Sequence, residues 1–466
     1  MGMVKHAGKG RLNSRADPDE KYRQLTEAPV KPLILSLAAP SIVSNLVTSI
    51  YNLSDTFYIG GLGTSASAAV GVSFVAMTAI QAIGFFFGQG AGNPISRYLG
   101  AKDLERARMI ASTEFVMAII CGFILAIVGN ALIVPICILS GSTETILPFA
   151  TTFIGITLWG APFMCGAIML NMVLRFEGEA LYSMAAIMVG AVLNIALEPI
   201  FIYVLGMGIA GSALATDICQ ALSCVLLIIQ TRRTNITPIS LKYVRRPTLA
   251  LLREAANGGV PSFVRQVMLG VATTLLNNAA RPFGDAAIAG LAITQRICGF
   301  GNYIQIGIGQ GFQPVIGYNY GARKFGRIRE GYFFSMRAAF IAVFSVGVVT
   351  CVAAPQLIAF FNSDPEVVSM GTLTLRVESF TMSITGVAMI TNFLLQTCGR
   401  MWRATILGAC RLGLVLGPVV LVLPHLWGLV GVQLAQPATD LITTAIAIPM
   451  ALSIMKELRQ EESATQ

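Results

Sequence analysis

Apolar residues run along this chain in long blocks, and the charged residues gather in the gaps between them. A helix needs about 20 apolar residues, at 1.5 Å each, to cross the hydrocarbon of a bilayer. Twelve blocks meet that length, at 33–59, 66–92, 110–139, 146–173, 180–205, 210–231, 259–281, 285–313, 333–361, 366–397, 402–424 and 428–455. They take up nearly the whole chain and leave no room for a large soluble domain. The pattern predicts an all-α integral membrane protein of twelve transmembrane helices.

Composition agrees. Of the 466 residues 55% are hydrophobic and 12% charged, where soluble domains carry about 25% charged residues. The net charge of +9 would suggest a nucleic-acid partner if the bases clustered on a soluble face. Instead they lie in alternate connections. The N-terminal stretch has Lys5, Lys9, Arg11, Arg15, Lys21, Arg23 and Lys31, and the loop between spans 2 and 3 has Arg97, Lys102, Arg106 and Arg108. The connection between spans 6 and 7 is also basic, as is the loop after span 8, with Arg323, Lys324, Arg327 and Arg329; the other side offers Arg281. Cytoplasmic loops retain positive charge, so both termini are expected inside, in a multi-pass plasma (inner) membrane protein with no nucleic-acid role. Residues 1–32 read as a disordered cytoplasmic tail without the apolar core of a signal peptide. The nine Cys include no CxxC pair, which argues against a disulfide framework or a zinc site.

The chain repeats itself. GQGAGNPISRYLGAKDLERAR from Gly88 and GQGFQPVIGYNYGARKFGRIR from Gly309 align at a constant offset, which also aligns Pro40-Ser41 with Pro261-Ser262. MGIAGSALA from Met207 and WGLVGVQLA from Trp427 align at nearly the same offset. The expected organisation is a tail (1–32), a first six-helix lobe (33–231), a cytoplasmic linker (232–257), a second six-helix lobe (258–455) and a short cytoplasmic tail (456–466). An even number of helices per half makes two pseudo-symmetric bundles in parallel repeat. The GQG segments lack the preceding strand of a phosphate loop; in transmembrane helices such small residues permit close packing. Two bundles facing each other suit transport by alternating access. An enzyme is disfavoured, since His6 and His425 are the only histidines and no HExxH or GxSxG motif occurs.

Charges inside spans are costly, about 2.5–3.5 kcal/mol at the bilayer centre even on lenient scales, so each asks for a partner or a purpose. The first half carries Asp55, Glu114, Glu198 and Asp217; the second carries Arg265, Arg296, Arg376, Glu378, Arg411 and Asp440. Counted from the outer ends of spans 1, 5 and 6, Asp55, Glu198 and the Thr216-Asp217 pair all lie roughly 8–11 Å deep. Asn194 is one turn from Glu198 on the same face, and Pro199 frees the Ile195 carbonyl. Such oxygens suit a hard cation, and paired carboxylates equally hold a proton, so Na⁺ and H⁺ both remain open. Thr216 and Asp217 diverge by about 100° around their helix, so one of them at most faces this group. Glu114, close to a helix end, is expected to snorkel. Internal pairing, Arg411 with Asp440 and Arg376 with Glu378, would account for much of the second half. The repeat takes Asp55 to Leu276 and Glu198 to Val419, so the acidic group has no second copy.

These residues also resemble a known family. SDTFYIGGLG from Ser54, LNIALEPIFI from Leu193 and GSALAT ending at Thr216 are similar to first-, fifth- and sixth-helix motifs of the multidrug and toxic compound extrusion (MATE) transporters. The resemblance covers all twelve spans. It implies export of drugs in exchange for H⁺ or Na⁺ and carries the coupling site onto Asp55, Asn194, Glu198 and Thr216, the positions a Na⁺ would use; small amphipathic substrates, a monomer and no cofactor beyond the coupling ion are expected. Asp217, Glu114, Arg296 and Glu378 stand as additional candidates. Glu198 replaces the usual Asp of the motif, and where the NorM-like branch has acids in spans 7 and 10, span 7 offers Arg265 and Gln266, although span 10 has Glu378. The sequence is thus closer to the DinF-like or MepA-like branch. A lipid-precursor flippase of the same superfamily is the alternative. A major facilitator fits poorly, because GAKDLERAR stands where that fold carries GxxxDRxGRR.

Overall fold

The computed structural model describes residues 17–244, 248–362 and 364–464. A short helix α1 (Pro18–Glu27) precedes the first bundle. That bundle consists of α2 (Val30–Gly60), α3 (Thr64–Gly100), α4 (Leu104–Ala131) with its continuation α5 (Ile133–Leu139), α6 (Leu147–Phe176), α7 (Ala180–Pro199) and α8 (Ile209–Thr234). A four-residue helix, α9 (Leu241–Val244), leads to the second bundle. There follow α10 (Leu249–Ala280), α11 (Asp285–Gly321), α12 (Phe325–Val352) with α13 (Ala354–Phe361), α14 (Pro365–Thr397), α15 (Met401–Ala409) and α16 (Leu416–Ser463).

Nine helical stretches among the described residues are long and apolar enough to cross a membrane by themselves. The other spans differ for physical reasons. Helix α11 buries Gln305, Gln310, Gln313 and Asn319, and α14 buries Glu378, Ser379 and several threonines, so neither is greasy enough alone. Spans 11 and 12 share α16, which breaks at Trp427 and Gly428.

The two halves repeat in conformation as well as in sequence. The third span breaks at Leu132 in one half and at Ala353 in the other, each after a regular helical bond. Gly208 (φ 57°, ψ −136°) opens the sixth span, and its counterpart Gly428 (φ 55°, ψ −132°) opens the twelfth. This is backbone that a side chain resists and glycine adopts freely.

The duplicated GQG segments form the seam between bundles. In each, the first glycine packs within its own half: a Cβ on Gly88 would strike Met172 of α6, and one on Gly309 would strike Phe393 of α14. The second glycine faces the other half, Gly90 against Ala255 of α10 and Gly311 against Ala38 of α2. The intervening glutamines bond across: Gln89 accepts from Gln313 (3.1 Å), and Gln310 accepts from Asn45 (3.3 Å) and from the buried Arg175. Gly100 against Tyr318 and Gly317 against Ser96 continue the contact to the end of the molecule that carries the basic loops. Toward the opposite end the facing stripes become exposed, Asn52 and Thr56 on α2 and Ala292 and Arg296 on α11. The bundles are therefore joined at the basic end and part at the other.

Two expected tails are ordered in part. Residues 1–16 lie outside the described residues, but 17–32 hold α1 and the start of α2. Asp17 caps α1 by accepting from the Asp19 N–H. Lys21 pairs with Glu179 at 3.0 Å, and the Tyr22 ring receives Lys102 from one half (4.6 Å) and Lys324 from the other (6.0 Å). Asn319 and Lys324 donate to the Leu25 and Thr26 carbonyls. At the other terminus, helix α16 continues to Ser463 because Glu457 binds Arg400 and Arg403, and Glu462 binds Arg329.

Candidate functional site

Helix α7 carries Asn194 and Glu198 on one face, both fully buried, and runs through Pro199 into a single π-turn at Ile200–Val204. Helix α8 begins at Ile209 and presents Ser212 and Thr216 on consecutive turns. The Ser212 hydroxyl donates to Glu198 Oε1 at 2.6 Å, and Asn194 Nδ2 donates to Thr216 Oγ1 at 3.3 Å. The third wall is α2, where Asp55 sits beside Glu198 and the Tyr51 hydroxyl lies near Asp55 and Thr216. Asp55, Asn194, Glu198 and Thr216 thus meet in one place. Tyr51 and Ser212, which no motif marks, join them; Tyr51 lies four residues before Asp55 and Ser212 four before Thr216, each on its partner's face.

The group is rich in acceptors and short of donors. Asp55 Oδ1, Asn194 Oδ1 and Glu198 Oε2 are buried with no hydrogen-bond partner. Buried polar atoms of this kind are rare, because each costs about 1–3 kcal/mol. Such atoms on three neighbouring side chains, two of them carboxyls, can take a cation among the oxygens or a proton between them. The equivalents in the second half, Leu276 and Val419, also come together, but in an apolar cluster with Ala272, Leu416 and Val420.

The other charged candidates lie elsewhere. Asp217 packs its carboxyl on Gly160 of α6, so Thr216 is the member of that pair that faces the acids. Glu114 does not snorkel; it is buried at 4% exposure in α4, on the helix face turned into the bundle. Arg411 and Asp440 are bonded at 2.8 Å, with Gln436 adding a second donor at 3.2 Å. Arg376 does not pair with Glu378. Two positions apart on α14, their side chains diverge by about 200°; Arg376 donates to the Cys351 carbonyl, and Glu378 is buried beside Cys298. A cavity of about 580 Å³ lies away from the acids, at the basic-end seam, lined by Asn93, Arg97, Arg253, Glu254, Asn257 and Gln396 among others.

The Arg411–Asp440 pair gives a stability test. Breaking a buried pair from one side strands the other charge, typically at about 3–5 kcal/mol. Asp440→Ala is expected to lower the melting temperature of the purified protein markedly, and the double variant Arg411→Met, Asp440→Leu to recover most of that loss.

Twelve helices in two repeated bundles, parting on one side of a shared seam, define a membrane transporter. The chain belongs to the MATE family: the MatE description matches residues 40–200 and again 261–422, once per half. The multidrug export protein MepA of Staphylococcus haemolyticus (strain JCSC1435) is 28% identical over 453 residues, covering 96% of this chain and 98% of that protein. MepA of Staphylococcus aureus (strain MSSA476) is 27% identical over 420 residues, covering 89% and 92%. Among solved structures, the outward-facing conformation of a multidrug resistance MATE family transporter superposes with a TM-score of 0.90 at 25% identity, covering 96% of this chain and 99% of that one.

Proposed function

We propose that this protein exports amphipathic compounds in exchange for H⁺ or Na⁺, with Asp55, Asn194, Glu198 and Thr216 holding the coupling ion. The basic end faces the cytoplasm, as its Lys and Arg content requires, and the parted end faces out. The observation that carries the reading is the adjacency of two carboxyls, Asp55 and Glu198, each with an unpaired buried oxygen. An ion entering from outside neutralises them. It thereby stabilises whichever packing of α2 against α7 and α8 buries the neutral pair, and an ion shifts the equilibrium only by this difference in affinity. Closing the outer cleft and opening the basic-end seam then exposes the ion to the inside and the empty cleft to a new substrate. The longer Glu198 side chain, already held by Ser212, reaches toward Asp55 from α7.

The purified protein in proteoliposomes tests this. An imposed gradient of pH or of Na⁺ should drive counter-movement of a fluorescent amphiphile, and collapsing that gradient should stop it. Movement indifferent to both gradients would overturn the proposal.

A further inference from the structure

Four second-half arginines at membrane depth differ in how they are neutralised, and one of them, Arg376, donates to the Cys351 carbonyl. Arg411 has Asp440 at 2.8 Å. Arg265 and Arg296 have no carboxylate within ion-pairing distance among the described residues. Arg296 lies eleven residues into α11, about 16 Å from that helix's outer end and so near mid-membrane. It is exposed, as is Ala292 one turn outward. Both continue the stripe that farther down contains Tyr303, whose carbonyl accepts from Asn45 of α2, and Gly307, which packs on Ile42. The face that closes the seam below therefore lines the cleft above, and Arg296 projects from it. Arg265 stands on α10 at the other seam, next to Gln266, which bonds Gln81 of α3 at 3.2 Å. Its guanidinium lies 6.0 Å from the Phe85 ring of the opposite bundle. The acids of the opposite bundle do not offset these charges, because Asp55 and Glu198 are turned into their own cluster between α2, α7 and α8.

An unpaired arginine at this depth is costly and marks a pathway or a ligand. We propose that Arg296, with Arg265 deeper in the cleft, selects amphipathic organic anions as the exported substrate. A planar guanidinium holds a carboxylate or sulfonate by paired N–H donors. Aromatic surface is close by: Phe85 beneath Arg265, Phe263 edge-on to Phe86, and Tyr303 on the Arg296 stripe. A cationic amphiphile meets repulsion on the same wall.

The inference rests on the antiport reading, and one experiment separates the two. Proteoliposomes of the full chain under the driving gradient are given fluorescein, an aromatic anion, or ethidium, an aromatic cation. Wild type should move fluorescein faster. Arg296→Gln should slow fluorescein about tenfold, the scale of one lost charge-assisted hydrogen bond, Arg296→Lys should lose less, and Arg296→Glu should reverse the preference toward ethidium. Unchanged melting temperatures keep the comparison among folded proteins, and Arg265→Gln repeats it at the second position. Gradient-driven ethidium movement without fluorescein movement, or fluorescein rates indifferent to Arg296→Gln, overturns the anion assignment and leaves antiport standing. Movement of neither dye under any gradient overturns both.

Discussion

Glu198→Gln should reduce gradient-driven export to background while leaving the twelve helices folded. The amide keeps the shape of the carboxyl and can still accept from Ser212 at the Oε1 position. It can neither take up a coupling proton nor give a cation its countercharge. Stability should hold or rise, because removing a buried charge relieves desolvation. The melting temperature of the variant therefore stays at or above that of the wild type. Asp55→Asn should behave alike, since Asp55 supplies the second carboxyl of the pair. The measurement is dye efflux from proteoliposomes beside a melting curve. Full export by either variant would show that ion exchange does not pass through these acids.

The second large effect concerns the seam. A side chain at Gly100 would run into the backbone of Tyr318, and neither backbone can step aside within two packed helices. Gly100→Val should therefore hold the bundles apart at the basic end and shift the population toward a state open there. Moving such an equilibrium from 1:99 to 99:1 takes about 5.5 kcal/mol, within reach of a buried backbone collision. Export should fall to background. A reporter Ser96→Cys, at a position now packed on Gly317, should pass from protected to labelled by a membrane-impermeant thiol reagent added at the basic end. Continued protection beside normal export would mean the seam adapts without opening.

Much of the arrangement could be read along the chain because bilayer and repeat constrain it so tightly. The spans, the two six-helix halves and the lone acidic group all follow from periodic hydropathy and from a constant offset between motifs. Asn194, Glu198 and Thr216 could be grouped by depth since α7 and α8 are adjacent in sequence and rigid, so counting residues from their ends is nearly a distance. Tyr51 and Ser212 escaped that count because nothing in an apolar helix marks a tyrosine or serine as polar machinery until an acid is seen at its tip. Glu114 differs from its expected snorkelling for a related reason: residue count fixes depth along α4, whereas the face turned into the bundle, which buries it, is set by packing.

What the sequence alone determines is therefore one-dimensional: how many times the chain crosses, which gaps carry positive charge, that the halves are copies, and which copies have lost their acids. Tertiary structure decides everything that depends on rotation about a helix axis or on contact between distant helices. It joins Arg411 to Asp440 but keeps Arg376 from Glu378, turns Asp217 onto Gly160, folds α1 across both bundles, and leaves Arg296 on an open face. The reason is that a helix fixes spacing along its axis by its own hydrogen bonds. Its azimuth is fixed only by packing against neighbours, whose identity a single chain of letters does not contain.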